Sequence, residues 1–227
     1  MTRRKSSRGT CFFCQRELSK SGMSRHLTSC TERQKAIANR EKKSGARQSL
    51  YHLQVQDAYA LDFWLQLEMS GSKRLEDLDY YLKAIWLECC GHLSQFSFGG
   101  WGGEEIDMDT TIAQVFRRGG VLTHIYDFGT SSETLIKPMG AREGKPLTSH
   151  PIFLMARNEM PEQFCIECNK SAAWLCIECL IEEDTWGTLC GKHAETHPHR
   201  EYGEPMPLVN SPRLGMCGYE GPAEPPY

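Results

Sequence analysis

The sequence predicts an α+β fold: a central mixed or antiparallel sheet, one amphipathic helix packed on it, and small appended modules. Three observations carry this. Residues 49–164 hold several segments of apolar/polar alternation around one stretch of helical spacing. Closely spaced Cys and His residues flank that region on both sides. The 227 residues leave room for one ordinary core plus small appendages. Apolar content of 40% and a mean hydropathy of −0.49 describe a soluble chain, and no run of about 18 apolar residues marks a membrane span.

The first element is a metal pattern. Cys11, Cys14, His26 and Cys30 are spaced Cys-x2-Cys-x11-His-x3-Cys, close to a single zinc finger of the CCHC kind, over residues 10–35. Leu18 and Met23 fall where such a finger places apolar core residues. Ser21 or Ser24 can cap a helix that carries His26 and Cys30 one turn apart. That helix is expected to run on through RQKAIANREKK, completing a basic arm over residues 1–48.

Charge is distributed unevenly. Residues 1–48 carry 13 Lys/Arg against 3 Asp/Glu, net +10; residues 49–164 carry 9 against 16, net −7; residues 165–227 carry 4 against 10, net −6. A basic arm on an acidic body points to an anionic partner. Lys20 and Arg25 near the helix start, then Arg33, Lys35, Arg40, Lys42, Lys43 and Arg47, spread around the helix rather than lining an apolar face. They are the expected nucleic-acid contacts, suited to phosphate and not to sequence readout.

The α+β domain spans 49–164. LYHLQVQ (50–56) and ALDFWLQLEM (60–69) alternate as half-buried strands do. Ser72 can cap the next helix, whose Leu75, Leu78, Leu82, Ile85, Trp86 and Cys89 recur at helical spacing. HLSQFSFGG is a strand entering a Gly-rich turn, and TTIAQVF (110–116) a short helix ended by Gly119 and Gly120. VLTHIYDFG (121–129) and ETLIKPM (133–139) form a hairpin, and PIFLMARN (151–158) a further strand.

Residues 165–200 hold five cysteines and three histidines. The start of the chain, MTRRKSSRG, is charged and lacks an apolar stretch, so the expected setting is a reducing cytoplasm. There, paired Cys-x2-Cys reads as metal binding and not as disulfides. The spacing resembles a B-box-type double-zinc module. A cross-brace would place Cys165, Cys168, Cys190 and His193 on one zinc, and Cys176, Cys179, His197 and His199 on the other. A sequential set, Cys165/Cys168/Cys176/Cys179, is the alternative. Ala173, Trp174, Leu175, Leu180 and Trp186 are the expected small core. With the finger, three structural zincs are expected, and the fold is a sheet domain flanked by small zinc-stabilised modules.

The tail, 201–227, is rich in Pro and Gly. Residues 206–219 are expected to dock in extended form on the α+β domain, with 220–227 loose. Cys217 is then a buried thiol or a replacement for His197 or His199.

LEDLDYYLKAIWLECCGHLSQFSF, followed by IAQVFRRGGVLTHIYDFG, resembles the plasmid pRiA4b open-reading-frame-three-like family. The resemblance covers about residues 50–157, with Ile125 to Gly129 its most specific part. It implies the fold of this segment and a prokaryotic plasmid or mobile-element setting, but no reaction. The chain departs from that pattern at Asp62-Phe63-Trp64-Leu65, where many members have Trp-Arg, and at Thr130, where they have Asp.

Catalytic signatures are weak. Asp127-Phe128-Gly129 would need a phosphate loop and a His-Arg-Asp to read as a kinase. Tyr126 and Phe128 are expected on one core face, with Asp127 capping the turn. EEIDMD (104–109) reads as a solvated acidic loop, and GGWGG (99–103) as a turn exposing Trp101. His92 and His124 read as packed or surface residues, and Cys89-Cys90 as part of an apolar stripe. The leading expectation is a non-enzymatic zinc protein that binds nucleic acid through its arm and protein through its acidic parts. The alternatives are a metal-dependent nuclease or hydrolase using Asp107, Asp109 or Asp127, and a pure protein–protein adaptor.

Overall fold

The computed structural model describes residues 7–227; Arg3, Arg4 and Lys5 of the basic arm lie outside them. Its fold is α+β, built on a large antiparallel sheet. In chain order the first elements are β1 (Arg8–Cys11), β2 (Glu17–Ser19), α1 (Lys20–Ser29), α2 (Thr31–Glu41), β3 (Gln48–Asp57) and β4 (Trp64–Ser70). Then follow α3 (Leu75–Leu82), β5 (Ser94–Phe98), β6 (Glu104–Ile106), α4 (Ile112–Arg117), β7 (Leu122–Tyr126), β8 (Ser132–Gly144) and β9 (Ile152–Asn158). Nine strands pair antiparallel in the order β2-β1-β9-β4-β3-β8-β7-β5-β6.

Strand β4 explains the architecture. All seven of its residues are buried. Alternation sends Leu65, Leu67 and Met69 to the main core, where they meet Leu75, Leu78, Leu82, Ile85 and Trp86. The other face holds Trp64, Gln66 and Glu68, and the N-terminal helices cover it. Trp64 packs with Met23 and Leu27, Gln66 donates to Ser24 Oγ at 2.9 Å, and Glu68 accepts from Arg33 at 2.9 Å. The finger is therefore part of the sheet domain: β1 adds to its edge beside β9. Gly9 permits this approach, because a Cβ there would overlap the Arg157 carbonyl and the Trp64 ring.

Several local expectations are corrected. Ser19, not Ser21 or Ser24, caps α1; Ser24 is buried and bonds Gln54 and Gln66. The helix does not run through Cys30, whose ψ of 113° separates α1 from α2. Arg74, not Ser72, stands before α3, its N–H donating to Asp77 at 3.0 Å. After Leu82 the helix widens into a π-helical turn, Lys83–Leu87, and ends. Tyr126 is buried but Phe128 is 45% exposed, so the two do not share a face. Asp127 breaks the strand with φ +65° and turns Phe128 out against Trp101. EEIDMD begins as edge strand β6 and not as loop throughout.

The C-terminal part holds β10 (Trp174–Cys176), α5 (Ile177–Glu182), β11 (Gly187–Leu189), α6 (Gly191–Thr196) and β12 (Met206–Pro207). They form a three-stranded sheet, β11-β10-β12, so the tail supplies one strand. Leu175 and Leu189 are buried there, whereas Trp186 is 57% exposed and Ala173 is also exposed, outside the expected core. Beyond β12 the chain crosses back over the main domain. Arg213, Leu214 and Tyr219 are buried against it. Residues 220–227, expected to be loose, are also seated: Ala223 is buried and Tyr227 stacks on His150 at 4.1 Å.

Candidate metal centres

Among the described residues, four groups of Cys and His gather their ligand atoms within 4.8 Å of one another. A tetrahedral zinc with bonds of about 2.3 Å to sulfur and 2.0–2.1 Å to nitrogen gives edges of roughly 3.8 Å for S···S and 3.5 Å for S···N. The spacings in the structure match these edges, and the S···S distances lie far above the roughly 2.05 Å of a disulfide. All eleven cysteines are free.

In the finger, Cys11 ends β1 and Cys14 lies in the β1–β2 turn, while His26 comes from α1 and Cys30 from its end. Cys14 Sγ lies 3.2 Å from His26 Nε2. Burial pushes the Cys11 thiol up to about 11, and burial with the nearby Arg16 lowers His26. A neutral imidazole is the form a metal takes; a bound cation would ionise the thiol.

In the C-terminal module the structure assembles the cross-brace and not the sequential set. Cys165 Sγ is 3.2 Å from His193 Nδ1, Cys190 Sγ is 3.7 Å from the same nitrogen, and Cys168 Sγ is 3.8 Å from Cys190 Sγ. In the second set Cys179 Sγ is 3.2 Å from both His197 Nε2 and His199 Nδ1, and Cys176 Sγ is 3.9 Å from His199 Nδ1. The close His-Pro-His spacing works because the two rings meet edge to face at 4.8 Å and offer different nitrogens. Gly187 leaves room for this set, since a Cβ would overlap Cys179 and the Cys176 carbonyl. The Cys165 thiol is held down at about 6; burial opposes this, but backbone N–H groups and His193 outweigh it. Burial, then Cys176 and Glu183, push Cys179 up to about 12.

Outer residues orient these ligands. Glu167 Oε1 stands 3.0 Å from His197 Nδ1, and its Oε2 stands 3.8 Å from His193 Nε2. One carboxylate thus spans both sets and fixes which nitrogen faces the sulfurs. Glu183 plays the same part for His199 at 3.6 Å. Their only signal in the sequence is their place beside the ligand pairs.

The fourth group, Cys89, Cys90, His92 and Cys217, exceeds the three centres expected. It also corrects the reading of Cys217, which is exposed and lies with Cys90 and His92, not with His197 or His199.

The eight arm cations separate into two kinds. Lys20 bonds Gln56, Arg33 reaches Glu68 at 2.9 Å, Arg40 bonds Pro146 O at 2.8 Å, and Arg47 bonds Glu143 O at 3.2 Å. These hold the arm to the body. Within the arm, Arg33 also bonds Leu27 O, Arg40 bonds Ser44 O, and Arg47 pairs with Glu41. Arg25, Lys42 and Lys43 are exposed, with side chains unengaged among the described residues, and Lys35 makes only a surface pair with Glu32.

No family model matches the chain. No curated protein matches it either. Among solved structures, the chain is similar to a protein of unknown function from Methanosarcina mazei Go1, with 15% identity, a TM-score of 0.39 and coverage of 45% of this chain and 66% of that one. No helix among the described residues is long and apolar enough to cross a membrane.

Proposed function

We propose that the protein is a non-enzymatic, zinc-organised adaptor that contacts nucleic acid through the exposed cations of its N-terminal arm. The observation that carries this reading is the division of the arm's charge. Arg25, Lys35, Lys42 and Lys43 project from α1, α2 and the turn after them, while the rest of the chain, 49–227, holds 13 Lys/Arg against 26 Asp/Glu. Exposed cations on an otherwise acidic molecule direct a polyanion to the arm. Three or four such contacts give modest, salt-sensitive binding without base specificity.

The enzyme alternative is supported less well, because its carboxylates have other partners. Asp127 accepts from Arg213, Gly129 and Thr130, Asp107 accepts from the Asp109 N–H, and Asp109 pairs with Arg74 at 2.7 Å. A protein partner is favoured by a cavity of about 750 Å³ whose lining includes Tyr59, Leu61, Phe63 and Trp186. The Tyr59, Leu61 and Trp186 side chains are more than half exposed there. A reducing cytoplasm and the plasmid or mobile-element setting of the resembled family belong to the same proposal.

The test is fluorescence anisotropy of labelled random-sequence DNA and RNA oligonucleotides with the full chain, over a salt series. Affinity should fall steeply with salt and drop in an Arg25→Glu, Lys42→Glu, Lys43→Glu variant. Equal affinity in that variant, or no binding at low salt, would refute the nucleic-acid contact.

A further inference from the structure

We infer that Cys89, Cys90, His92 and Cys217 form a fourth metal site, for a thiophilic divalent cation such as zinc, which clasps the C-terminal segment to the sheet domain. The inference starts from distances. Cys90 Sγ lies 3.7 Å from both Cys89 Sγ and Cys217 Sγ, and 3.0 Å from His92 Nε2; His92 Nε2 lies 3.3 Å from Cys217 Sγ. The S···S distances are those of a zinc tetrahedron with three sulfurs and one nitrogen, and the two S···N distances fall somewhat inside its roughly 3.5 Å edge. The donor set is the same as that of the finger.

The backbone is shaped to this gathering. The π-helical turn ends α3 early and releases Glu88-Cys89-Cys90-Gly91-His92 from the helix. Gly91 has φ +79°, which lets the chain reverse so that Cys90 and His92 face one point. Cys217 has φ +50°, a conformation that costs a residue with a side chain energy. It arrives from 125 residues away.

Contacts outside the group fix the place of Cys217. Ser211 Oγ donates to Trp86 O at 2.6 Å, Arg213 is wholly buried, and Tyr219 is buried on the far side. Chance would not bring a tail held by these contacts to a third thiol beside a Cys-Cys-x-His turn. Three thiolates around a divalent cation leave one net negative charge; Arg213 Nη2 lies 3.5 Å from Cys89 Sγ and shares its charge between this sulfur and Asp127. Asp127 Oδ2 stands 3.4 Å from the same His92 Nε2, so this carboxylate borders the donor cluster itself.

This site differs from the other three in exposure. Cys90 and Cys217 are exposed, whereas each other set contains at least one buried cysteine. It is therefore the first to exchange or yield its metal to a chelator. The site joins the tail to the main domain, so its occupancy governs how often the tail lifts.

The experiment uses the full chain, reduced and supplied with Zn²⁺, and counts metal by native mass spectrometry. Four zincs are expected, falling to three in Cys217→Ser and in Cys90→Ser, with faster tryptic cleavage at Arg213. Cys30→Ser should also lose one zinc but leave that cleavage slow. Alkylation of the wild type guards against variants that misfold: Cys90 and Cys217 should be protected with Zn²⁺ and become reactive first as chelator is added. Three zincs with both thiols freely alkylated, or a Cys90–Cys217 disulfide in their place, would overturn the inference. None of these readouts depends on whether the arm binds nucleic acid.

Discussion

Arg213 Nη2 lies 2.6 Å from Asp127 Oδ2, and the arginine is wholly buried although it comes from the Pro/Gly-rich tail. The same guanidinium donates to Thr130 O and Ser132 Oγ at 2.9 Å and lies 4.9 Å from the Tyr126 ring centre. Asp127 has left-handed φ and accepts from Gly129 and Thr130 N–H groups. The turn after β7 is thus completed by a residue 86 positions later. Burial works against the Asp127 carboxylate, but Arg213 and the two N–H groups hold its pKa below the usual carboxylate range.

Removing this arginine should be costly. Arg213→Ala leaves a buried carboxylate without its charge partner, a loss on the order of 3–5 kcal/mol. Urea unfolding of the full chain at fixed zinc would measure it. A change below about 1 kcal/mol, the size of a surface pair, would show that the tail is not anchored here.

The finger should fail together with the sheet edge. Its core residues Met23 and Leu27 pack on Trp64, Met155 and Ala156, and β1 pairs with β9. In Cys30→Ser, amide exchange should rise along 8–11 and 152–158 while β5 and β7 stay protected. Unchanged protection of β9 would mean that the finger is a separable appendage. Cys176→Ser should instead loosen 165–200 and leave the nine-stranded sheet intact.

His124 supplies a pH signature. It is wholly buried and stands 2.7 Å from Asp79. Burial lowers its pKa, with Asp79 opposing. The Asp79 carboxyl is itself held at about 2: burial raises it, but hydrogen bonds from His124, Ser94 and Lys83 outweigh that. A histidine depressed in the fold binds fewer protons folded than unfolded below about 6.5. Its contribution is therefore present above that pH and is lost as pH falls through the folded value. His124→Gln should flatten the slope of unfolding free energy against pH just below 6.5 relative to wild type. The metal sites are common to both proteins, so the difference isolates His124; equal slopes would contradict the assignment.

Lys42 and Lys43 are the sharpest test of the polyanion face. Each phosphate neutralised contributes about 0.9 to the slope of log affinity against log salt. Lys42→Gln with Lys43→Gln should therefore reduce that slope by roughly 2. Arg40→Gln should change stability more than slope, because Arg40 is bonded to Pro146 O and Ser44 O.

Much of this could be read from the chain because its causes are local. LYHLQVQ and ALDFWLQLEM show strand alternation, and β3 and β4 form there. The Cys-x2-Cys and Cys-x2-His pairs place donors on single turns, so their grouping follows from short-range spacing. The burial of Trp64, Gln66 and Glu68 was hidden, because residues 23–33 cover them. The fourth cluster was hidden for two reasons. Helical spacing carried through to Cys89 concealed the π-helical turn that ends the helix, and Cys217 joins from the far end of the sequence. Phe128 was misplaced because alternation takes no account of the left-handed turn at Asp127.

Zinc per chain is the most direct measurement of the account's central claim, that Cys/His clusters organise this protein. Elemental analysis of the full chain, purified reduced and without chelator, should give four zinc equivalents, three of them retained in Cys217→Ser. One equivalent or fewer in the wild type, with the chain folded, would contradict it.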